Sequence, residues 1–422
     1  METSRDGTAT PPEHPAYGVY LTEDAIRFIV SKCLPAPPSN VTIECLHHDK
    51  SWNNRIYFVQ TSTAPSAPRY VLKLAGRPFR PAEIENEVAS LLLLGQLCPS
   101  IPTPRVIAWS PDGQSIQQAS VGLARPIEIM RKDIPSGWIL MTRLEGEALE
   151  PSTATPEERD AIAKQLAEIV LTWRRNIPRS RYCGNLHFRS AADATAPISV
   201  AYQPGHGLPS LQVHGVLEIG SQSSDPLDTT LSFWKHRLAF AVDTLATSSY
   251  LAPNRQNGRL QRLRKFIDLN LPNLLHNDLG AFVFSHTDLS PRNVLVGGSP
   301  LRIVGIVDFE YSGFFPALQE FMGKSVVSLE EDDEGWPVDM FTTILQKLAE
   351  STDDGGLSGQ SPSTREWKLT QTLMRLETYI APWWLSAGSD GLDAALQDAR
   401  EKVDRCLASL QSVSTYFRSV TL

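Results

Sequence analysis

Within FSHTDLSPRNVLVGGSPLRIVGIVDFEYS, which runs from Phe284 to Ser312, three side chains stand at spacings that suit phosphoryl transfer: Asp288, Asn293 and Asp308. A loop carboxylate such as Asp288 accepts a hydrogen bond from an attacking hydroxyl and turns that oxygen towards a phosphorus centre. The amide oxygen of Asn293 and the carboxylate of Asp308 are hard ligands of the kind magnesium takes. Asp308 ends the apolar run RIVGIV, where an unpaired carboxylate is costly, and a metal bridging nucleotide phosphates would pair with it. Arg292 brings positive charge close by. Lys73 with Glu87 adds the remaining part, a cation held by an ion pair against the α- and β-phosphates.

These residues need elements to position them. Val283 and Phe284 form a short strand into the loop Ser285 to Asn293, Val294 to Val296 leave it, and RIVGIVDFE is the second strand of that hairpin. RYVLKLA reads as a strand with Val71 and Lys73 on one face and Leu72 and Leu74 on the other. PAEIENEVASLLLLGQL reads as a helix, with Pro81 in its first turn and Ile84, Val88, Leu91 and Leu92 at helical spacing. Lys73 is therefore within reach of Glu87. Glu85 competes for the same partner, and whichever loses faces solvent.

The rest of the chain falls around this frame. A helix over Thr22 to Cys33 precedes two strands, VTIECL and RIYFVQTS, joined by HHDKSWNN; strands follow at Pro104 to Asp112 and Gly137 to Leu149. Residues 113–136 are poorly patterned and read as an insertion. Beyond them the pattern turns helical. Thr155, Pro156 and Glu158 make a capping box ahead of a helix carrying Ile162, Leu166, Ile169, Val170 and Trp173. Residues 184–226 are Gly-, Ser- and Pro-rich and irregular, and helices resume at 227–247, 259–270, 338–350, 365–376 and 392–410. This divides the chain into a mobile tail (1–16), an N-terminal nucleotide-binding lobe (17–147) and a C-terminal catalytic and acceptor-binding lobe (148–422).

Composition narrows the partners. Of 422 residues, 41% are hydrophobic and 20% charged, as in ordinary globular proteins. A net charge of −8 and a pI near 5.7 provide no broad basic surface, which argues against nucleic acid or anionic membrane as a partner. Five scattered cysteines without a CxxC pair suit reduced thiols. A polar N-terminus and the lack of an apolar run near ~18 residues point to a cytoplasmic protein.

HTDLSPRN and IVDFEYS resemble the catalytic and metal-binding segments of the aminoglycoside phosphotransferase and choline kinase-like family, most of all its large fungal branch. YVLKL, ENEVASLLLL, IPTPRVIAW and GWILMTRLEG extend the resemblance over about residues 40–325. It implies a two-lobed, protein-kinase-like α+β fold, with an N-terminal antiparallel sheet plus helix and a larger, mainly helical C-terminal lobe. It further implies transfer of the γ-phosphoryl of ATP, or of GTP, to a small-molecule hydroxyl. By that similarity Asp288 is the base, Asn293 and Asp308 the Mg2+ ligands and Lys73 the phosphate clamp, while Thr142 and Leu144 offer hinge backbone groups to the base of the nucleotide. Two departures stand out. Thr287 occupies a position that is usually Gly, and the nucleotide-covering loop HHDKSWNNR contains no glycine, so Ser51, Asn53 and Asn54 would have to meet the phosphates with side chains.

Plainer readings apply to the neighbours. His276-Asn277-Asp278 repeats the His-x-Asp pattern but is followed at 283 by Val instead of Asn, so it reads as structural. His286 is expected to brace the loop by a bond to backbone or to Asp308. The run Glu330 to Glu334 reads as a solvated loop, and Trp383 and Trp384 as core of the C-terminal lobe.

Overall fold

The computed structural model describes residues 10–11, 14–34, 41–62, 64, 67–79, 81–119, 122–129, 131–188, 211–213, 216, 227–275, 281–321, 336–351, 364–382 and 384–420. The second His-x-Asp at 276–278, the acidic run 330–334, Trp383 and most of 189–226 lie outside these residues.

Helix α1 (Glu23–Cys33) opens the N-terminal lobe, its first turn capped by the Thr22 hydroxyl, which accepts from the Ala25 N–H. Strands β1 (Thr42–Cys45), β2 (Asn54–Gln60) and β3 (Arg69–Ala75) lead to helix α2 (Pro81–Leu97). Strands β4 (Val106–Ser110), β5 (Ser115–Gln118), β6 (Gly122–Glu128) and β7 (Trp138–Thr142) complete an antiparallel sheet in the order β1-β2-β3-β7-β4-β5-β6. The segment expected to be an insertion is thus a hairpin that extends the sheet. Its alternation is masked by polar residues and by Pro126, which an edge strand tolerates because one side of it needs no partner.

The strand period of two decides which side of the sheet each residue serves. Leu72, Leu74, Trp138 and Leu140 pack with Ile26, Ile29 and Val30 of α1. Ile139, Met141 and Trp109 pack on the opposite side with Val88 and Leu91 of α2. Lys73 points to that second side, into the cleft between the lobes. The N-terminal stretch is packed as well: Thr10, His14 and Ala16 are buried, and the buried Arg55 guanidinium donates to the carbonyls of Ala16 and Val19 and to the Thr10 hydroxyl.

The C-terminal lobe begins at β8 (Glu147–Ala148), which pairs with a strand of that lobe, followed by α3 (Pro156–Asn176). The Thr155–Glu158 capping box forms as expected. Next come β9 (Gly184–Phe188), β10 (Leu211–Val213), α4 (Thr230–Thr247), α5 (Arg259–Lys265) and α6 (Leu271–Leu274), the last two joined by one π-helical turn. Strands β11 (Val283–Ser285), β12 (Val294–Gly297), β13 (Arg302–Ile306) and β14 (Gly313–Phe315) carry the candidate site. Helices α7 (Val338–Glu350), α8 (Arg365–Ile380) and α9 (Leu392–Val420) close the lobe. Its strands form two small sheets, β10-β9-β14-β11 and β13-β12-β8. The result is a bilobal, protein-kinase-like α+β fold, and among the described residues no helix is long and apolar enough to cross a membrane.

Buried polar bonds tie α2 to the C-terminal lobe. Asn86, fully buried, accepts from the Leu186 N–H and donates to the Glu310 carbonyl, at 2.7 and 2.8 Å. One helical turn on, the Ser90 and Ser312 hydroxyls meet at 2.7 Å. Truncating Asn86→Ala strands a buried N–H and a buried C=O, and at about 1–3 kcal/mol each the expected loss is about 2–6 kcal/mol, read as a lower urea midpoint.

Candidate active site

The chain brings its distant site residues together by a hairpin. β12 and β13 pair antiparallel with Val294 opposite Ile306, and the ladder continues one step further as the Val307 N–H donates to the Asn293 carbonyl at 3.0 Å. Asn293 and Asp308 therefore sit at the same end of the hairpin. The Asn293 amide donates to the Asp288 carbonyl at 2.7 Å and to its carboxylate at 3.1 Å, which folds the loop back on itself. Arg292 also reaches the Asp288 carboxylate, at 3.1 Å from an exposed position.

His286 braces the loop as expected, with its Nε2 2.9 Å from the Val307 carbonyl and its Nδ1 accepting from the Asp288 N–H. Thr287 adopts φ 65° and Asp308 φ 69°, left-handed conformations that cost a non-glycine residue about 1–3 kcal/mol each. Thr287 is compensated on both sides. Its hydroxyl donates to the Tyr311 carbonyl, and the N–H groups of His286 and Thr287 converge on the fully buried carboxylate of Glu320 at 2.9–3.1 Å. Burial pushes the Glu320 carboxyl above its ordinary range, with His286 and Arg174 pulling the other way.

Across the cleft the Lys73 ammonium touches three carboxylates: Glu87 at 2.7 Å, Asp308 at 2.6 Å and Glu310 at 3.0 Å. Burial opposes its charge, but Asp308, Glu310 and Glu87 outweigh that and hold it well above the ordinary lysine value. Burial lifts Glu87 to about 7 against the pull of Lys73, and raises Glu310 with help from Asp308. Asp308 moves the other way: burial resists its charge, yet Lys73 holds its carboxyl below the ordinary value.

With all three carboxylates ionised, they outnumber the one ammonium by two negative charges. The ligand oxygens of Glu87, Asp308 and Glu310 lie within 4.8 Å of one another, hard oxygens with the excess negative charge that a divalent cation such as magnesium satisfies. Of the two ligands the sequence motif implies, Asp308 stands in this cluster and fits such an ion, while Asn293 lies outside it at the same end of the hairpin.

The remaining expected residues divide. Glu87, not Glu85, takes Lys73. Glu85 does not face solvent freely as expected but is half-buried, and burial raises its carboxyl to about 7. Its folded-state value lies above the unfolded one, so the stability it contributes is present below pH 4.5 and lost as the pH rises through about 7. Glu85→Gln should therefore stabilise the protein at pH 8 by about 1–2 kcal/mol, after allowance for solvent screening, and by nothing at pH 4; melting curves at the two values check this.

Asn54 is buried and donates to Glu310 at 2.8 Å. Ser51 is used within its own loop, its hydroxyl donating to the Asn54 carbonyl. The Thr142 N–H donates to the Arg105 carbonyl and its hydroxyl accepts from the Arg105 N–H, so the hinge donor expected there is taken up by the sheet. Leu144 packs against Gly305, where a Cβ would fall 2.8 Å from its Cδ1. Glu310, Glu320 and Asn86 were not singled out from sequence. None of the three carried a periodic signal: β13 ends at Ile306, and Glu310 lies in the turn that follows the left-handed Asp308.

Two solved structures have this fold. The ADP-bound aminoglycoside phosphotransferase APH(2'')-Ib superposes with a TM-score of 0.51 at 11% identity, over 91% of this chain and 99% of that one. A Ralstonia eutropha JMP134 protein assigned to the aminoglycoside phosphotransferases superposes with a TM-score of 0.52 at 13% identity, over 93% and 99%. No curated protein sequence matches. The model of the phosphotransferase enzyme family matches residues 45–338, well over half of the chain and including every residue of the site just described. The chain belongs to the phosphotransferase enzyme family.

Proposed function

We propose that the protein transfers the γ-phosphoryl group of ATP, with GTP as the other candidate donor, to a hydroxyl of a small molecule in the cytoplasm. The observation that carries this is the joining of Lys73, Glu87 and Asp308 into one ion cluster on the lobe interface, with Asp288 and Asn293 attached to the same β12–β13 hairpin. In this reading Asp288 receives the proton of the acceptor hydroxyl as the oxygen attacks phosphorus. Lys73, fixed by Glu87, holds the donor phosphates. Asp308 and Asn293 would hold Mg2+, which supplies neutralising charge for the phosphates, and Leu144 would offer a hinge backbone group to the base. The motif's likeness to the fungal branch of the family belongs to the same reading.

The test requires no guess about the acceptor. Purified protein with ATP and Mg2+ is incubated with a cell metabolite extract, and products heavier by one phosphoryl group are sought by mass spectrometry. A phosphorylated product that forms only with active protein supports the reading; ATP left intact across extracts of different origin refutes it. A second reading, a kinase-like binding protein without transfer, is favoured by the Arg292 guanidinium resting on the Asp288 carboxylate. It predicts a melting-point rise with Mg-ATP but no turnover.

A further inference from the structure

The loop expected to cover the nucleotide lacks glycine, yet it is bonded across the lobe boundary. Asn53 and Asn54 reach from it across the lobe boundary, and their side-chain amides donate to the two oxygens of one carboxylate, Glu310, at 2.9 and 2.8 Å. Glu310 is buried, as is Asn54, and its backbone carbonyl is fixed in turn by Asn86. A carboxylate that accepts two amide donors while paired with Lys73 makes charge-assisted bonds, the stronger kind.

A second, independent feature serves the same contact. Gly76, at the end of β3, lies so close under the loop that a Cβ there would fall 2.2 Å from the Asn53 carbonyl oxygen. The glycine absent from the loop is thus found beneath it, where it admits the loop backbone. On its outer side the loop is held by the N-terminal stretch, where His14 Nε2 lies 3.2 Å from the His48 carbonyl and the His14 ring packs edge-on to Trp52.

We propose that Glu310 is a positioning residue: it tethers the glycine-free loop His47–Asn54 through Asn53 and Asn54, and by that tether sets how tightly the nucleotide is held. The nucleotide half of the statement rests on the phosphotransferase reading; the tether does not. Glu310 acts here through side chains of the loop, a role separable from any contact it makes with a cation, because Asn53 and Asn54 can be altered while all three carboxylates stay in place.

The experiment is hydrogen exchange of the loop amides 47–54 in the full chain, with and without Mg-ATP, combined with steady-state kinetics on any acceptor that the extract screen finds. Glu310→Ala and the pair Asn53→Ala/Asn54→Ala should each speed loop exchange about tenfold, and the triple variant no further, because all remove one shared contact. Gly76→Ala should speed it as well with every carboxylate intact. Glu310→Gln, which keeps one acceptor oxygen, should recover part of the protection. In turnover, the Asn53→Ala/Asn54→Ala pair should raise KM for ATP about fivefold or more and leave kcat within about threefold. Unchanged loop exchange in Glu310→Ala, or fully additive effects in the triple variant, overturns the tether. A fall in kcat for Glu310→Ala that the asparagine pair does not share, with KM for ATP unmoved by the pair, overturns the positioning role and assigns Glu310 to the metal. If no protein responds to Mg-ATP while loop exchange still responds to the substitutions, the phosphotransferase reading fails and the tether stands.

Discussion

Asp288→Asn should lower kcat by about a hundred- to ten-thousandfold at saturating Mg-ATP, with little change in the melting temperature. The reason is local. The variant keeps the size of the side chain and leaves the Asn293 bond to the residue-288 carbonyl, at 2.7 Å, untouched, so the loop retains its shape. What it loses is the anionic oxygen that, in the proposed reaction, takes the acceptor proton. The ion pair with Arg292 disappears too, but it is exposed on the Arg292 side and contributes at most about 1 kcal/mol. Kinetics and a melting curve on the same sample separate the two effects. Turnover that survives the substitution would remove Asp288 as the base, and a large loss of stability would show that its role is to hold the loop.

Lys73→Ala should be the most damaging single change to the fold as well as to activity. It leaves Glu87 and Glu310, both buried, and the partly exposed Asp308 facing one another without their cation. Breaking a buried pair in this way costs about 3–5 kcal/mol. The deficit depends on pH, and its sign follows from Glu87. That carboxyl is already held at about 7 with Lys73 present, and removing the cation raises it further. The folded variant then binds more protons than the unfolded chain from pH 4.5 upward, so its deficit grows as the pH rises through 7 and shrinks towards pH 4.5. Urea titrations at pH 5 and pH 8 should show the larger gap to the unaltered protein at pH 8. Adding Glu87→Gln to the variant should recover part of the loss at pH 8 and almost none at pH 5. If the gap is the same at both values, the cluster is not carrying the excess negative charge inferred from its geometry.

The parts of the site legible in the sequence were those fixed by local geometry. The interval from Asn293 to Asp308 is the length of one hairpin, and the interval from Lys73 to Glu87 is one strand end, one turn and the first turns of a helix. Both are set by element periods that a single chain displays. Asn86, Glu310 and Glu320 were not legible in the same way, since each earns its role from backbone groups that only the tertiary fold brings near. Asn86 in particular lies between Glu85 and Glu87 on a helix and gives no sign that it bridges two lobes. The hairpin at 115–128 was missed because an edge of a sheet may carry polar residues and proline without penalty, which erases the alternation that marks a strand. Glu85 was misread because half-burial on a helix flank leaves no periodic trace.

The bonds from Asn86 and Ser90 have a mechanical consequence. They bond α2 to β9 and to the segment after Asp308, so the helix is fastened to the C-terminal lobe although it lies in the N-terminal one by sequence. All three partners of Lys73 stand on elements so fastened, and the lysine alone stands on the sheet. Any separation of the sheet from α2 would therefore have to break the ion cluster.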